Sequence, residues 1–264
     1  MPRIRASTEE SAPLRGWTLV SLRPAGAHAG LRNAARRAGA ESLALSPLRL
    51  VALDARPALQ AALACAAVIF SSPAAVRFAA RQHPLQDLAR ALAVGAGTAA
   101  ALRRAGVTEV LAPSRMDSEG LLALPALAGV AGHAVGLVTA PGGRGLIAAT
   151  LAARGARLVR AEVYRREPAA IPAARIDRLA RADIARTALA ISSGEALDAA
   201  WTQLPDPLRV RLRQALFVVA SARLADATRN VGGRHIAVAG SARPRALVDA
   251  LGAWVLDARS DAIR

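Results

Sequence analysis

Gly16-Trp17-Thr18-Leu19-Val20 opens one short apolar run, and Gly132-His133-Ala134-Val135 opens another like it. After the first come a loop with Pro24 and Gly26, an amphipathic stretch, the pair Gly39-Ala40 and a second apolar run. After the second come a loop with Pro141, Gly142 and Gly143, a helical stretch and the pair Gly155-Ala156. The spacing is the same at both glycines (132 − 16 and 155 − 39 each give 116). Each copy reads strand, glycine-rich loop, helix, glycine C-cap, strand.

A second unit recurs further along. Val68-Ile69-Phe70-Ser71-Ser72-Pro73 is an apolar strand that ends in two serines before a helix, and Leu189-Ala190-Ile191-Ser192-Ser193-Gly194 matches it (189 − 68 gives 121). A third runs from Leu92 to Gly106 around Gly95-Ala96-Gly97-Thr98, with a looser counterpart from Phe217 to Gly232 around Ala220-Ser221-Ala222-Arg223. Strands alternating with helices predict parallel sheets built from right-handed βαβ units. Two copies predict an α/β protein of two similar doubly wound domains, flavodoxin-like or Rossmann-like. Sequence order alone places the split near Ala128 to Gly132. Ligands of such sheets bind outside the carboxyl ends of the strands, and two domains offer a cleft.

Composition narrows the chemistry. The chain has 264 residues, enough for two cores, and at 3% aromatics those cores rest on Ala, Leu, Val and Ile. The formal charge is +16, every basic residue is Arg, and there is no Lys. That excludes a lysine Schiff base and a Walker A lysine. The arginines are spread along the chain, and so few aromatics make base stacking a poor reading, so nucleic acid is not the expected partner. The charge can still serve an anionic membrane surface or a polyanionic small molecule. The lone Cys65 forms no internal disulfide and fits a reducing compartment. No apolar run is long enough to span a bilayer, and Met1 to Ser11 lacks the apolar stretch of a signal peptide. A cytoplasmic monomer with a disordered leader over 1–15 is expected.

Six strand-to-helix loops carry the candidate site residues: Arg23; Ser71 and Ser72; Gly97 and Thr98; Gly142, Gly143 and Arg144; Ser192 and Ser193; and Ser221. Small residues, hydroxyls and free N–H groups at helix N-termini suit carboxylate or phosphate, although plain N-capping also uses Ser and Thr. The glycine turn at Gly95 lacks an acidic ribose partner, so NAD is not expected. The histidines His28, His83, His133 and His235 are scattered without ligand spacing, so neither is a metal. Ser71-Ser72 is not in a hydrolase elbow. Tyr164, the only tyrosine, ends the run Arg157 to Val163. It reads either as a packed strand-end aromatic or as a phenol donor at a cleft.

These segments in this order resemble the uroporphyrinogen-III synthase family. Val-Ile-Phe-Ser-Ser-Pro-Ala-Ala-Val (68–76) is similar to the family's phe-thr-ser-pro-x-ala-val segment, and Val94-Gly95-Ala96-Gly97-Thr98-Ala99 to its val-gly-x-x-thr-ala turn. Ser118-Glu119-Gly120-Leu121-Leu122 resembles its ser-glu-x-leu helix start. Pro141-Gly142-Gly143-Arg144 and Arg154-Gly155-Ala156, ending in Val163-Tyr164-Arg165-Arg166, resemble its longest shared stretch. The likeness runs from about residue 16 to 255.

The resemblance implies a crossover. Domain one would be 16–46 plus 167–264 and domain two 49–164, linked by two strands near Leu45 to Leu50 and Ala161 to Arg166. It implies a cofactor-free enzyme that closes hydroxymethylbilane, a linear tetrapyrrole with eight carboxylates, to uroporphyrinogen III. Water is lost and the last pyrrole ring is inverted. It implies that Tyr164 hydrogen-bonds the departing hydroxyl, and that substrate is handed over from the preceding bilane-forming enzyme. Thr98 matches the family's middle-domain threonine. The family often has a threonine in the last strand-to-helix turn; here either Ser221 supplies the hydroxyl or Arg223 contacts a carboxylate. A hinged two-domain binding protein for a polyanionic ligand is the alternative.

Overall fold

The computed structural model describes residues 13–88, 90–142 and 145–261. In chain order the strands and helices are β1 Thr18–Ser21, α1 Ala29–Arg37, β2 Glu41–Ala44, β3 Leu48–Ala52, α2 Arg56–Leu63, β4 Ala67–Phe70 and α3 Pro73–Ala80. Then follow β5 Arg90–Ala93, α4 Ala96–Arg104, β6 Glu109–Leu111, α5 Ser118–Leu122, β7 Ala134–Thr139, α6 Leu146–Ala153 and β8 Arg157–Glu162. The last part holds β9 Tyr164–Pro168, α7 Ala173–Ala180, β10 Thr187–Ile191, α8 Gly194–Trp201, α9 Asp206–Leu212, β11 Leu216–Val219, α10 Ala222–Asn230, β12 His235–Val238 and α11 Pro244–Asp261.

The chain forms two compact units. One holds residues up to Arg49 and from Glu167 on; the other is Leu50–Arg166. The split near Ala128 to Gly132 that sequence order alone suggests is absent, because β7 pairs with β4 and stays with the strands before it. Of the expected leader, residues 1–12 lie outside the described residues. Its end, 13–15, joins the fold: Leu14 is fully buried and its N–H donates to Ala38 O. An apolar side chain there removes too much surface from water to stay outside.

Each unit carries one five-stranded parallel sheet. The orders are β12-β11-β10-β1-β2 and β6-β5-β4-β7-β8. The recurring segments occupy matching places: β1 and β7 fourth, β2 and β8 fifth, β10 and β4 third, β11 and β5 second. One sheet is thus a circular permutation of the other, with the βαβ copy that begins at Gly16 or Gly132 coming first in one unit and last in the other.

Strand alternation sets the cores. In β4, Val68 and Phe70 enter one cluster with Leu59 and Ala62 of α2 and Ala75 and Ala79 of α3, while Ile69 enters another with Leu121 of α5 and Leu151 of α6. Side chains two apart share a face, so helices cover both sides of the sheet. In the other unit, β10 and β11 are buried at every position. Gly136 of β7 lets α2 close on the sheet: a Cβ there would lie 2.1 Å from the Ala62 carbonyl oxygen.

A separate two-stranded sheet pairs β3 with β9. Just past each strand the chain is tied the same way. Leu53 N–H donates to Val163 O, and Ala169 N–H donates to Pro47 O. Both partners are 116 apart, like the glycines (169 − 53 and 163 − 47).

Two glutamines complete the symmetry. Gln82 accepts from Ala55 N–H at 2.9 Å and donates to Leu53 O at 3.0 Å and Phe78 O at 3.3 Å. Gln203 accepts from Ile171 N–H at 2.8 Å and donates to Ala169 O at 3.1 Å and Ala199 O at 2.9 Å. Each side-chain amide ties the segment after a linker strand to the end of a helix. Gln82→Ala and Gln203→Ala should each cost about 1–3 kcal/mol, because part-buried backbone groups lose their partners. Urea unfolding followed by circular dichroism checks this; an unchanged midpoint for either variant would show that water replaces that amide.

Candidate functional site

In the sheet of Leu50–Arg166 the strand order reverses between β4 and β7. From β4 the chain winds toward β5 and β6; from β7 it winds the other way to β8. The carboxyl ends of the two strands at such a reversal are left uncovered by either crossover, and ligands of doubly wound sheets bind there. A concavity of about 300 Å³ lies at this point.

Hydroxyls line it. Ser71 extends the ladder, its N–H donating to Val138 O at 3.1 Å, and its Oγ donates to Thr139 Oγ1 at 3.0 Å. Ser72 is the N-cap of α3 and accepts from Ala75 N–H at 3.0 Å. The same Ser72 Oγ lies 3.1 Å from Tyr164 Oη. Tyr164 is 2% exposed, and its ring stacks on Phe78 with centroids 5.2 Å apart and planes 15° from parallel.

The rest of the wall is part apolar and part cationic. Helix α6 is apolar at every position but Thr150, and Leu151 is its only buried residue. Such a helix normally hides all its faces; here half-exposed Leu146 and Ile147 border the concavity. Gly142 and Gly145 border it too, each with positive φ (72° and 63°). Arg160 and Arg166 stand at the wall, Arg160 donating to Glu162 Oε1 at 2.9 Å and the Arg166 Cζ lying 5.9 Å from the Tyr164 ring centre.

The expected residues therefore divide. Ser71, Ser72, Gly142 and Tyr164 meet at one concavity. Gly143 and Arg144 lie outside the described residues. Gly97 and Thr98 do not border it: Gly95 caps α4, so both sit in its first turn rather than in a loop, with Thr98 buried. Tyr164 does not end the strand from Arg157. β8 stops at Glu162, and Val163 then changes partners, its N–H donating to Thr139 O while its carbonyl accepts from Leu53 N–H, so Tyr164 opens β9.

Arg23, Ser192, Ser193 and Ser221 follow the carboxyl ends of β1, β10 and β11 in the other unit. Ser193 caps α8, accepting from Ala196 N–H at 3.4 Å. Ser221 caps α10 without a side-chain capping bond, and Arg223 is exposed in that helix's first turn. Arg23 donates through Nη2 to Ala242 O, but its buried Nε has no hydrogen-bond partner among the described residues. Burial pulls its guanidinium down from arginine's usual value. A buried cationic N–H of this kind calls for an anion.

Thr139, Arg160, Arg166 and Ser118, which also border the concavity, were not apparent from the sequence. The signal for Thr139 is its place as the last residue of β7, but only the sheet order sets it beside Ser71. Among the described residues no group of three or more His, Cys, Asp or Glu could hold a metal ion.

A family model for "Uroporphyrinogen-III synthase HemD" matches residues 30–249. The uroporphyrinogen-III synthase of Escherichia coli K12 is 36% identical over 184 residues, 67% of this chain and 74% of that protein. That of Salmonella typhimurium LT2 is 35% identical over 164 residues, 61% of this chain and 66% of that protein. Two solved structures share the fold. A mutant uroporphyrinogen III synthase of Thermus thermophilus aligns with TM-score 0.56 at 20% identity, over 91% of this chain and 99% of that one. The Helicobacter pylori 26695 enzyme aligns with TM-score 0.58 at 15% identity, over 88% and 97%.

His28, set aside as a metal ligand, has another place. Its Nδ1 is 2.8 Å from Ser21 Oγ and its Nε2 2.8 Å from Ser46 Oγ, joining the end of β1 to the loop after β2. Burial lowers its pKa first, and Arg23, Arg32 and Arg175 lower it further, so the folded protein holds it neutral. The unfolded chain takes up a proton as pH falls through about 6.5, the ordinary value. Stability is therefore unaffected above that pH and lost below it, until the folded protein's own lower value is passed. The melting temperature should fall between pH 7.5 and 5.5, and His28→Gln should flatten that fall. An equally steep fall in the variant would assign the acid sensitivity to other groups.

Proposed function

The chain belongs to the uroporphyrinogen-III synthase family, and we propose that the concavity beside Tyr164 is where it begins its reaction. The activity is the cyclisation of hydroxymethylbilane to uroporphyrinogen III, with loss of water and inversion of the last pyrrole ring. Family membership disfavours the hinged binding protein as a reading.

One observation carries the site assignment: the single phenol of the chain stands at the wall of a concavity at the strand-order reversal, its ring and its hydroxyl both held. The substrate's terminal hydroxyl sits on a carbon attached to a pyrrole. As that C–O bond breaks, the oxygen leaves with the bonding pair while the pyrrole nitrogen supplies electrons to the carbon. Tyr164 Oη–H donates a hydrogen bond and then its proton to the departing oxygen, which leaves as water, and the proton released by the ring carbon on closure restores the phenol. At about 300 Å³ the concavity is at the small end of ligand pockets, and suits one substituted ring rather than four. The apolar start of α6 fits the face of such a ring, and Arg160 and Arg166 fit its carboxylate arms. The larger share of the rate comes from holding the chain so that the inverted ring closes first.

Carboxylate recognition by the other unit is supported by the Nε of Arg23, which has no hydrogen-bond partner among the described residues, and by the hydroxyl of Ser221, which no capping bond occupies. Ser192 and Ser193 belong to the same reading. We further read the enzyme as a cytoplasmic monomer that receives its bilane by hand-over from the preceding bilane-forming enzyme. The tendency of free bilane to close spontaneously to the type I isomer supports hand-over. Among the described residues no helix is long and apolar enough to cross a membrane.

Fresh hydroxymethylbilane, incubated with the protein without added metal or cofactor and then oxidised, should yield the type III isomer. Only type I from a folded protein would overturn the reading. Tyr164→Phe keeps the ring stack and removes the hydroxyl; turnover should fall about 100-fold, the low end for a positioned acid, with little change in melting temperature. Full activity in that variant would leave Tyr164 a packing residue.

A further inference from the structure

One helix holds both ends of the tyrosine. The N-cap of α3, Ser72, reaches the Tyr164 hydroxyl at 3.1 Å, and Phe78, within α3, stacks on its ring. The duplicated unit supplies an internal comparison. By the repeat spacings, the counterparts of Tyr164, Ser72 and Phe78 are Leu48 (164 − 116), Ser193 (72 + 121) and Ala199 (78 + 121). The capping serine is kept, because any helix that starts there benefits from it. The tyrosine and the phenylalanine are absent together. Phe78, a core residue of its unit, is thus tied to Tyr164 as well as to the fold.

We infer that Ser72 and Phe78 are positioning residues for Tyr164, and that Ser72 serves the reaction through the phenol rather than by touching substrate. The inference rests on the catalytic reading of Tyr164 above. The Ala75 N–H donates to Ser72 Oγ at 3.0 Å, so one lone pair of that oxygen is committed to the helix start. The Ser72 hydroxyl proton remains to rotate toward Tyr164 Oη. With an acceptor in the concavity, a chain of donors runs from the Ala75 N–H through Ser72 to Tyr164 and on to the departing oxygen, each bond strengthening the next. The stack on Phe78 fixes the plane in which the phenol can turn, and Phe78 is itself covered by Arg81, whose Cζ lies 5.2 Å from its ring centre.

The decisive experiment is a double-mutant cycle. Ser72→Ala should lower kcat about 10- to 100-fold with KM little changed, the size of effect expected from loss of orientation. In the Tyr164→Phe background the same substitution should change kcat less than about twofold, because a residue acting through the phenol has nothing left to act on. Ser72→Thr, which keeps both cap and hydroxyl, should restore activity. Equal fold-losses in the two backgrounds would overturn the inference and make Ser72 a substrate contact or a plain cap. A Tyr164→Phe enzyme with full activity would overturn it together with the role of the phenol. A native protein that yields only the type I isomer would sink the functional reading itself.

A readout without turnover separates these cases. Tyr164 is the only tyrosine, so ¹³Cζ-tyrosine labelling gives one resonance. Ser72→Ala and Phe78→Leu should each shift it while Ser72→Thr leaves it in place; an unmoved resonance in Ser72→Ala would show that the serine does not hold the phenol. Should Ser72→Ala fold poorly, Ser72→Asn keeps a capping oxygen without the hydroxyl and is expected to behave as Ser72→Ala does.

Discussion

Pairing of β4 with β7, in parallel and in register from Ala67 opposite Val135 to Phe70 opposite Val138, is the contact on which the site depends. Crossovers in parallel sheets are right-handed, so a sheet extended first one way and then the other sends α3 and α6 to opposite faces. Neither crossover helix then covers the ends of the two strands between them. Ser71 and Thr139 meet there, Ser72 caps the helix that leaves on one side, and the apolar start of α6 stands on the other. The pairing of β10 with β1 imposes the same opening on the other sheet, where Arg23, His28 and Ser192 are found.

The two sheets separate what a frame requires from what chemistry adds. Both units keep the glycine that ends the first helix of the βαβ copy, the serine that caps the helix after the third strand, and the glutamine that ties the segment following a linker strand. Each of these satisfies backbone groups that any sequence in this fold would have to satisfy. At the strand reversals the units diverge. One places a stacked tyrosine and its supporting serine there; the other places a neutral histidine between two serines and a cluster of arginines. Conformation constrains the first group of residues, while the fold by itself does not require the differences between the units at the reversals.

Most of the fold was legible because its signals are local. A strand buried on both faces reads as a short apolar run, a left-handed turn reads as glycine, and the repeat spacings announce two sheets of one kind. The family was legible from the order of several weak motifs. The concavity was legible only in part. Ser71, Ser72 and Gly142 could be proposed from their positions after strands and Tyr164 from the resemblance, but so could Gly97 and Thr98, which the first turn of α4 takes away from it. A loop and a helix start differ by one residue in where the chain begins to coil, and composition does not resolve that.

The sequence by itself determined the alternation of strands and helices, the two-fold repetition, the capping serines and the absence of lysine chemistry. These follow from side-chain preferences over a few neighbouring residues. Tertiary structure decided the permuted strand order, the meeting of Ser72 with a tyrosine 92 positions away, the stack of that tyrosine on Phe78, and the matching ties made by Gln82 and Gln203. The physical reason is the range of the forces. Helix and strand preferences act within a turn or a pleat, whereas the neighbour of a strand and the partner of a buried hydroxyl are chosen by closing a whole sheet around its core.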